Sequence, residues 1–404
     1  MKPNTIRIID KWLGQPICFG LTVVRKAFPA RKTKDKGPIL FIKLIEQGAT
    51  VLANSAIQRA VKNVGRENVY FCVFADNKPI LDILDAVPQK NIFSIRQGNF
   101  LHFLIDIFSL LIKSRRVGIK STIDMEFFSR ASAILAYLSG ARNRVGLHRF
   151  NSEQPYRGDL LTHRVQYNPY LHTAKAYLLL VLALETDGKE RPLLKIPTHA
   201  LEVNAPVFTP NEEETRKVKM LLEKKWGGNT PSTVILLNPN ASDMLPLRKW
   251  DTPNFVAMGK KLLEAYPHSG LVLTGAPSEQ DACNNILKDF NDSMAIAVAG
   301  ETSLRELLVL YSLSSILVTN DSGPGHFASM TEIPTLVLFG PETPELFGPL
   351  GERVEVIWKG LACSPCVNPF NHRFSPCDNN LCMQHISVDE VFEKALTMLP
   401  AEVS

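Results

Sequence analysis

The stretch SSILVTNDSGPGHFASMTEIPTLVLFG (residues 314–340) decides the fold. An apolar run ends at Thr319, a turn follows through Asn320-Asp321-Ser322-Gly323-Pro324-Gly325, a helix starts near His326, and a second apolar run covers Thr335–Phe339. Strand, glycine-bearing turn, helix and strand make a unit of parallel sheet. Asp321 or Ser322 suits the helix N-cap, and Pro324 suits its first turn. Gly323 and Gly325 let backbone approach a ligand closely. Free N–H groups and the helix dipole at such a turn attract a diphosphate. A capped turn with structural glycines, and with His326 as a cap, accounts for the same letters.

The alternation continues in both directions. Upstream, strands are expected at Thr233–Asn238 and Gly270–Thr274, with helices over Glu212–Lys225, Pro253–Ala265, Glu279–Phe290 and Leu304–Ser312. A Pro-rich stretch, RPLLKIPTHALEVNAPVFTP (191–210), reads as a connection. Before it lie expected strands at Ile39–Leu44, Val69–Phe74, Val117–Ile123 and Arg144–Gly146. Helical patterns cover Thr50–Lys62, Ile80–Leu84, Phe100–Ser114 and Ser129–Leu138. The fold class is therefore α/β: two doubly wound Rossmann-like domains facing a shared cleft, the default ligand site. The expected division is a basic amphipathic segment at 1–36, an N-terminal domain at 37–195 and a C-terminal domain at 196–404.

Composition agrees with two globular domains. A length of 404 residues exceeds one domain of roughly 150, and 45% hydrophobic with 21% charged residues is ordinary. The net charge of +5 is uneven: residues 1–36 hold nine Lys/Arg and two Asp/Glu, whereas the rest hold 36 and 38. The slightly acidic body argues against a nucleic-acid partner. No secretory signal is legible and no run of 18 apolar residues exists. Seven cysteines without a signal fit a reducing cytoplasm.

The 314–340 stretch resembles the donor-binding signature of family 9 glycosyltransferases, the heptosyltransferase-like enzymes. LFGPETPELFGPLG (338–351) is similar to that family's Phe/Tyr-Gly-Pro-Thr segment, with Glu342 inserted before Thr343. LLNPNASDMLPLRKWDTPNFVAMGKKL (236–262) resembles its Asn/His-Pro-Gly-Ala-Ser … Lys/Arg-x-Trp-Pro segment, and LTGAPSEQD (273–281) a fourth. The resemblance implies a GT-B architecture and inverting, metal-independent transfer from a nucleotide-diphosphate sugar, ADP-heptose above others. The implied acceptor is a lipopolysaccharide-type or related glycolipid or oligosaccharide. Arg248 is then the phosphate fork, Ser242 a phosphate donor and Glu279 a ribose contact. Their plain alternatives are a solvated arginine, a turn cap and a helix-dipole residue. A nucleotide-sugar epimerase of the same architecture and a non-catalytic nucleotide-sugar binder are the competing functions.

Family members carry Gly-Asp in the first βα turn, the Asp being the base. Here KLIEQGATVL has Gly48 followed by Ala49. Glu46, two residues earlier, is the candidate base, with Glu126 and Asp124 in STIDMEFFSRAS (121–132) as the second choice. CSPCVNPFNHRFSPCDNNLC sets Cys363, Cys366, Cys377 and Cys382 as C-x2-C-x10-C-x4-C. A structural zinc, reduced structural cysteines and an oxidised pair are all open readings; His372 and Arg373 lie in the same loop. Basic residues beside Trp12, Leu13, Ile17, Phe19 and Leu21 suit either an anionic membrane surface at the cytoplasmic face or a helix packed on the first domain.

Overall fold

The structure is a computed structural model that describes residues 10, 12–29, 37–150, 156–187, 189–241, 245–371 and 373–400. The chain forms two compact units that divide after Asn204. The first runs through α1 (Gly14–Ala27), β1 (Ile39–Ile42), α2 (Gln47–Leu52), α3 (Asn54–Val64), β2 (Val69–Phe74), α4 (Lys78–Leu84), β3 (Ile92–Ile95), α5 (Phe100–Arg116), β4 (Ser121–Asp124), α6 (Arg130–Leu138), β5 (Asn143–His148), β6 (His163–Gln166) and α7 (Thr173–Leu182). The second runs through α8 (Glu212–Lys225), β7 (Thr233–Asn238), α9 (Thr252–Ala265), β8 (Ser269–Leu273), α10 (Gln280–Phe290), β9 (Ala295–Ala297), α11 (Leu304–Ser312), β10 (Ile316–Asn320), α12 (Gly323–Ala328), β11 (Thr335–Phe339), α13 (Pro344–Phe347), β12 (Val354–Trp358), α14 (Leu381–Gln384) and α15 (Val388–Met398).

Each unit holds one six-stranded sheet, ordered β3-β2-β1-β4-β5-β6 and β12-β11-β10-β7-β8-β9. All pairings are parallel. Counted from its own first strand, each sheet has the order 3-2-1-4-5-6 of a doubly wound fold. Central strands such as β1 (Ile-Leu-Phe-Ile) and β11 (Thr-Leu-Val-Leu-Phe) are buried at every position. That is why they read as unbroken apolar runs rather than alternating ones.

Helix α1 belongs to the first unit. Gly14 and Pro16 sit in its first turn, where proline is tolerated. Cys18 packs with Ala133 and Leu160, joined by Leu21, Ile134 and Tyr137. A Cβ at Gly14 would stand 2.8 Å from Arg130 Cβ, so the close crossing needs glycine. The Asp10 carboxylate accepts from the backbone N–H groups of Arg130 (3.1 Å) and Ala131 (2.9 Å) at the start of α6, and pairs with the Arg130 guanidinium at 3.0 Å. Thr22 Oγ1 donates to Cys18 O and accepts from Asp159 N. The described part of this segment therefore packs one face of α1 on α6. The basic residues at 1–9, 11 and 30–36 lie outside the described residues.

Candidate active site

Strands β7 and β10 are central neighbours from which the chain departs in opposite directions. Ligands of open α/β sheets sit beyond the strand ends at such a switch point. Asn320, the last residue of β10, organises this one. Its Oδ1 accepts from Trp250 N (2.9 Å), and its Nδ2 donates to the carbonyls of Pro239 (3.1 Å) and Asn240 (3.3 Å). Asn380 Nδ2 donates to Leu247 O and Lys249 O from the other side. Trp250 is fully buried and donates its indole N–H to Ile386 O.

Between these anchors the turn Pro246–Arg248 presents Arg248. Its Nη1 donates to Asp321 O (3.3 Å), its Nε lies 3.4 Å from Asp321 Oδ2, and its Nη2 lies 2.5 Å from Glu342 Oε2. Arg373 Nε lies 3.6 Å from Glu342 Oε1. Asp321 and Glu342 are both buried. Burial pushes both carboxyls up, against the pull of Arg248. The charge of Asp321 raises Glu342 further, to about 8. Glu342, the small departure from the family pattern, is a buried partner of Arg248, which already stands beside two acidic side chains.

Asp321, Arg248 and the Gly323–His326 turn are thus brought together. Helix α12 begins at Gly323, three residues before the expected start. Ser322 occupies the N-cap position, but its hydroxyl donates to Asn320 O instead of capping. A Cβ on Gly325 would meet Pro349 at 3.2 Å and Val337 at 3.3 Å, so this glycine is needed for packing. His326 is buried. Glu279 Oε2 accepts from Ala276 N at 2.7 Å and caps its own turn. Ser242 lies outside the described residues. A surface depression bordered by Phe208, Tyr311, Ser329 and Arg353 is at the other edge of this sheet, by the amino ends of β10–β12, away from the loop.

The first unit repeats the arrangement at β1 and β4. Lys43 follows β1 and is fully buried. Its Nζ stands 3.1 Å from Glu46 Oε2 and 3.2 Å from Glu126 Oε2. Glu126 Oε1 accepts from the N–H groups of Leu44 (2.7 Å) and Ile45 (3.3 Å), so this carboxylate braces the β1 loop. Asp124 is sealed: one oxygen accepts from Glu126 N (3.1 Å), the other from Ser132 Oγ (2.9 Å). Burial pushes it up to about 7, offset in part by Arg157, by those hydrogen bonds and not by Glu126, whose charge raises it. Glu46 is less enclosed and has a left-handed backbone, φ 70°. Such a conformation in a non-glycine residue marks stored strain, a frequent companion of function. Sequence reading missed Lys43, although a lysine inside ILFIKLI was its signal.

The cysteines of the 363–382 loop form no disulfide with one another. Burial, reinforced by the neighbouring Cys366, Cys377 and Cys363, pushes Cys382 up to about 11. Cys363 is exposed, and Cys377 Sγ donates to Asn379 O. Among the described residues no three His, Cys, Asp or Glu side chains are grouped so as to hold a metal ion.

The profile of glycosyltransferase family 9 (heptosyltransferase) matches residues 123–372, over half of the chain, including the whole β7/β10 switch point of the second unit. The chain belongs to glycosyltransferase family 9. This transferase is 26% identical over 170 residues to lipooligosaccharide heptosyltransferase 2 of Campylobacter jejuni serotype O:2, a match spanning 41% of the chain and about half (51%) of that relative. Against the serotype O:6 counterpart it is 22% identical over 293 residues, 70% of the chain and 81% of the relative. Its fold is similar to the structure of Escherichia coli ADP-heptose lps heptosyltransferase II, with a TM-score of 0.66 at 19% identity, covering 89% of this chain and 98% of that one. The two Rossmann-like units are accordingly those of a GT-B transferase. Family membership favours transfer over epimerisation or mere binding.

Proposed function

We propose that this transferase moves heptose from ADP-heptose to a lipopolysaccharide-type or related glycolipid acceptor, with inversion and without a catalytic metal, at the cytoplasmic face of the membrane. The observation that carries the reading is Arg248 fixed beside the Asp321–Gly325 turn at the switch point of a unit that matches the family. A diphosphate there meets backbone N–H groups and a guanidinium once Glu342 yields its edge of Arg248. On the acceptor side, Glu46 takes the proton of the attacking hydroxyl. The new bond forms at the anomeric carbon as the bond to the phosphate oxygen breaks, and ADP leaves with the electron pair. Lys43 orients Glu46, while Glu126 and Asp124 hold the loop that carries it. The relatives named for heptose transfer support the choice of sugar.

The test is purified transferase incubated with ADP-heptose, ADP-glucose, UDP-glucose and UDP-N-acetylglucosamine, each with and without truncated lipopolysaccharide core. Product is expected with ADP-heptose and only when the core is present. Turnover of any donor without acceptor would favour an epimerase, and ADP binding with no transfer would favour a binding protein.

A further inference from the structure

The active-site chemistry leaves one large feature of the first unit unused. Helix α5 is apolar on both sides. Its inner face, Phe103, Ile107 and Leu110, joins the core with Leu135 and Ala136 of α6. Its outer face exposes Leu101, Ile105, Phe108 and Ile112, spaced four, three and four residues apart, so they form one stripe along the helix. Helix α1 does the same on the other flank of α6: Cys18 and Leu21 face inward, while Leu13, Ile17, Phe19, Val23 and Val24 are exposed, with Trp12 and Phe28 at its ends. Arg115 Nη2 donates to Leu138 O, tying the end of α5 to the end of α6. Helices α1, α6 and α5 are therefore one layer, with two outward apolar stripes flanking α6.

The charges are one-sided. Residues 11–34 contain no Asp or Glu, and α1 ends in Arg25 and Lys26. Helix α5 ends in Lys113, Arg115 and Arg116, and its one acidic residue, Asp106, is held by Arg96 at 2.8 Å. Monomeric proteins rarely leave so much large apolar surface to water. Apolar stripes lying flat beside cations, without free acids, match the interface of an anionic bilayer. A protein partner would not call for that charge bias on both helices.

We propose that the outer faces of α1 and α5 together dock this transferase on an anionic lipid surface, with Phe108, Ile105, Ile17 and Val24 entering the headgroup boundary and Lys26, Lys113 and Arg116 meeting lipid phosphates. The proposal deepens the membrane-glycolipid reading but uses no property of donor or sugar, so vesicle binding survives if the transferred sugar proves different.

The experiment is co-sedimentation of the full chain with vesicles of phosphatidylcholine alone and of phosphatidylcholine with phosphatidylglycerol. Binding is expected only to the anionic vesicles and should weaken as salt rises. Phe108→Asp on α5 and Val24→Asp on α1 are each expected to lower it about tenfold, as is the pair Lys113→Glu/Arg116→Glu. All three replace exposed residues, so unchanged melting and ADP affinity serve as the folding control. The proposal is overturned if the wild-type chain ignores anionic vesicles, or if the α5 variants bind like wild type. It is equally overturned if the chain is a dimer in solution that Phe108→Asp dissociates, since the face then joins two copies.

Discussion

Three carboxylates, placed in different surroundings, carry the sharpest residue-level expectations. Glu46 combines a left-handed backbone with a side chain paired to Lys43. Glu46→Gln is expected to keep ADP affinity and to lower transfer about 10²–10⁴-fold, the usual contribution of a general base. Turnover near wild type would move that role elsewhere. Asp124 behaves differently because it is sealed. Its folded value, about 7, stands above the unfolded carboxylate value. Its contribution to stability is therefore complete below about pH 4 and is lost as pH rises through 7. Urea midpoints of Asp124→Asn should fall less between pH 5 and 8 than those of the wild type, and an equal fall would refute the assignment. Burial and the neighbouring Asp321 push Glu342 up to about 8. Calorimetric titration should show ADP binding weakening as pH rises through that region, by at most about tenfold per unit. Glu342→Gln should bind ADP independently of pH over the same range.

Elements show why some of this was legible and some was not. The turn at 320–325 and the loop at 238–250 were readable because glycine, proline and capping residues punctuate two apolar strands. Helix α7, Thr-Ala-Lys-Ala-Tyr-Leu-Leu-Leu-Val-Leu, escaped notice because it is buried nearly all round and has no polar face to give a period. Strand β12 escaped for the opposite reason: it is an edge strand, half exposed, with alternating letters in place of an apolar run. The strand expected from Val117 begins at Ser121, because Gly118 takes a left-handed conformation (φ 71°) just after α5. Glu342 was visible as a letter, but its partners Arg248 and Arg373 lie 94 and 31 residues away by number and meet it only through the sheet. The same logic sets a test of α1. Gly14→Val puts a side chain into Arg130, and overpacking of this kind costs about 1–3 kcal/mol. A lowered melting temperature should follow, whereas an unchanged one would mean that α1 does not pack on α6.

At the scale of the molecule, the two units carry the same motif at their switch points. Each has one enclosed cation between two acidic side chains drawn from different loops: the buried Lys43 with Glu46 and Glu126, and the half-buried Arg248 with Asp321 and Glu342. Each unit also has its own hydrophobic core. Separate cores make two unfolding transitions the natural expectation. ADP at ~100 Kd should stabilise the unit it binds by roughly 2.7 kcal/mol. Differential scanning calorimetry should show one transition, that of residues 205–404, moving with ADP while the other stays in place. Movement of the first-unit transition alone would put the nucleotide in the wrong unit.

The distribution of tryptophan turns these units into separate optical reporters. Of the four tryptophans, Trp12 alone lies in the first unit and is 71% exposed, whereas Trp226 and Trp250 are buried and Trp358 is half-buried in the second. Acrylamide quenching and red-edge emission therefore come chiefly from α1, and the blue-edge emission from the second unit. Trp250 follows Arg248 by two residues, so a ligand that moves the arginine turn should alter the blue component. A bilayer that covers α1 should shift the red component to shorter wavelength and shield it from acrylamide. Two events in one unlabelled chain can thus be followed at once, each by its own colour.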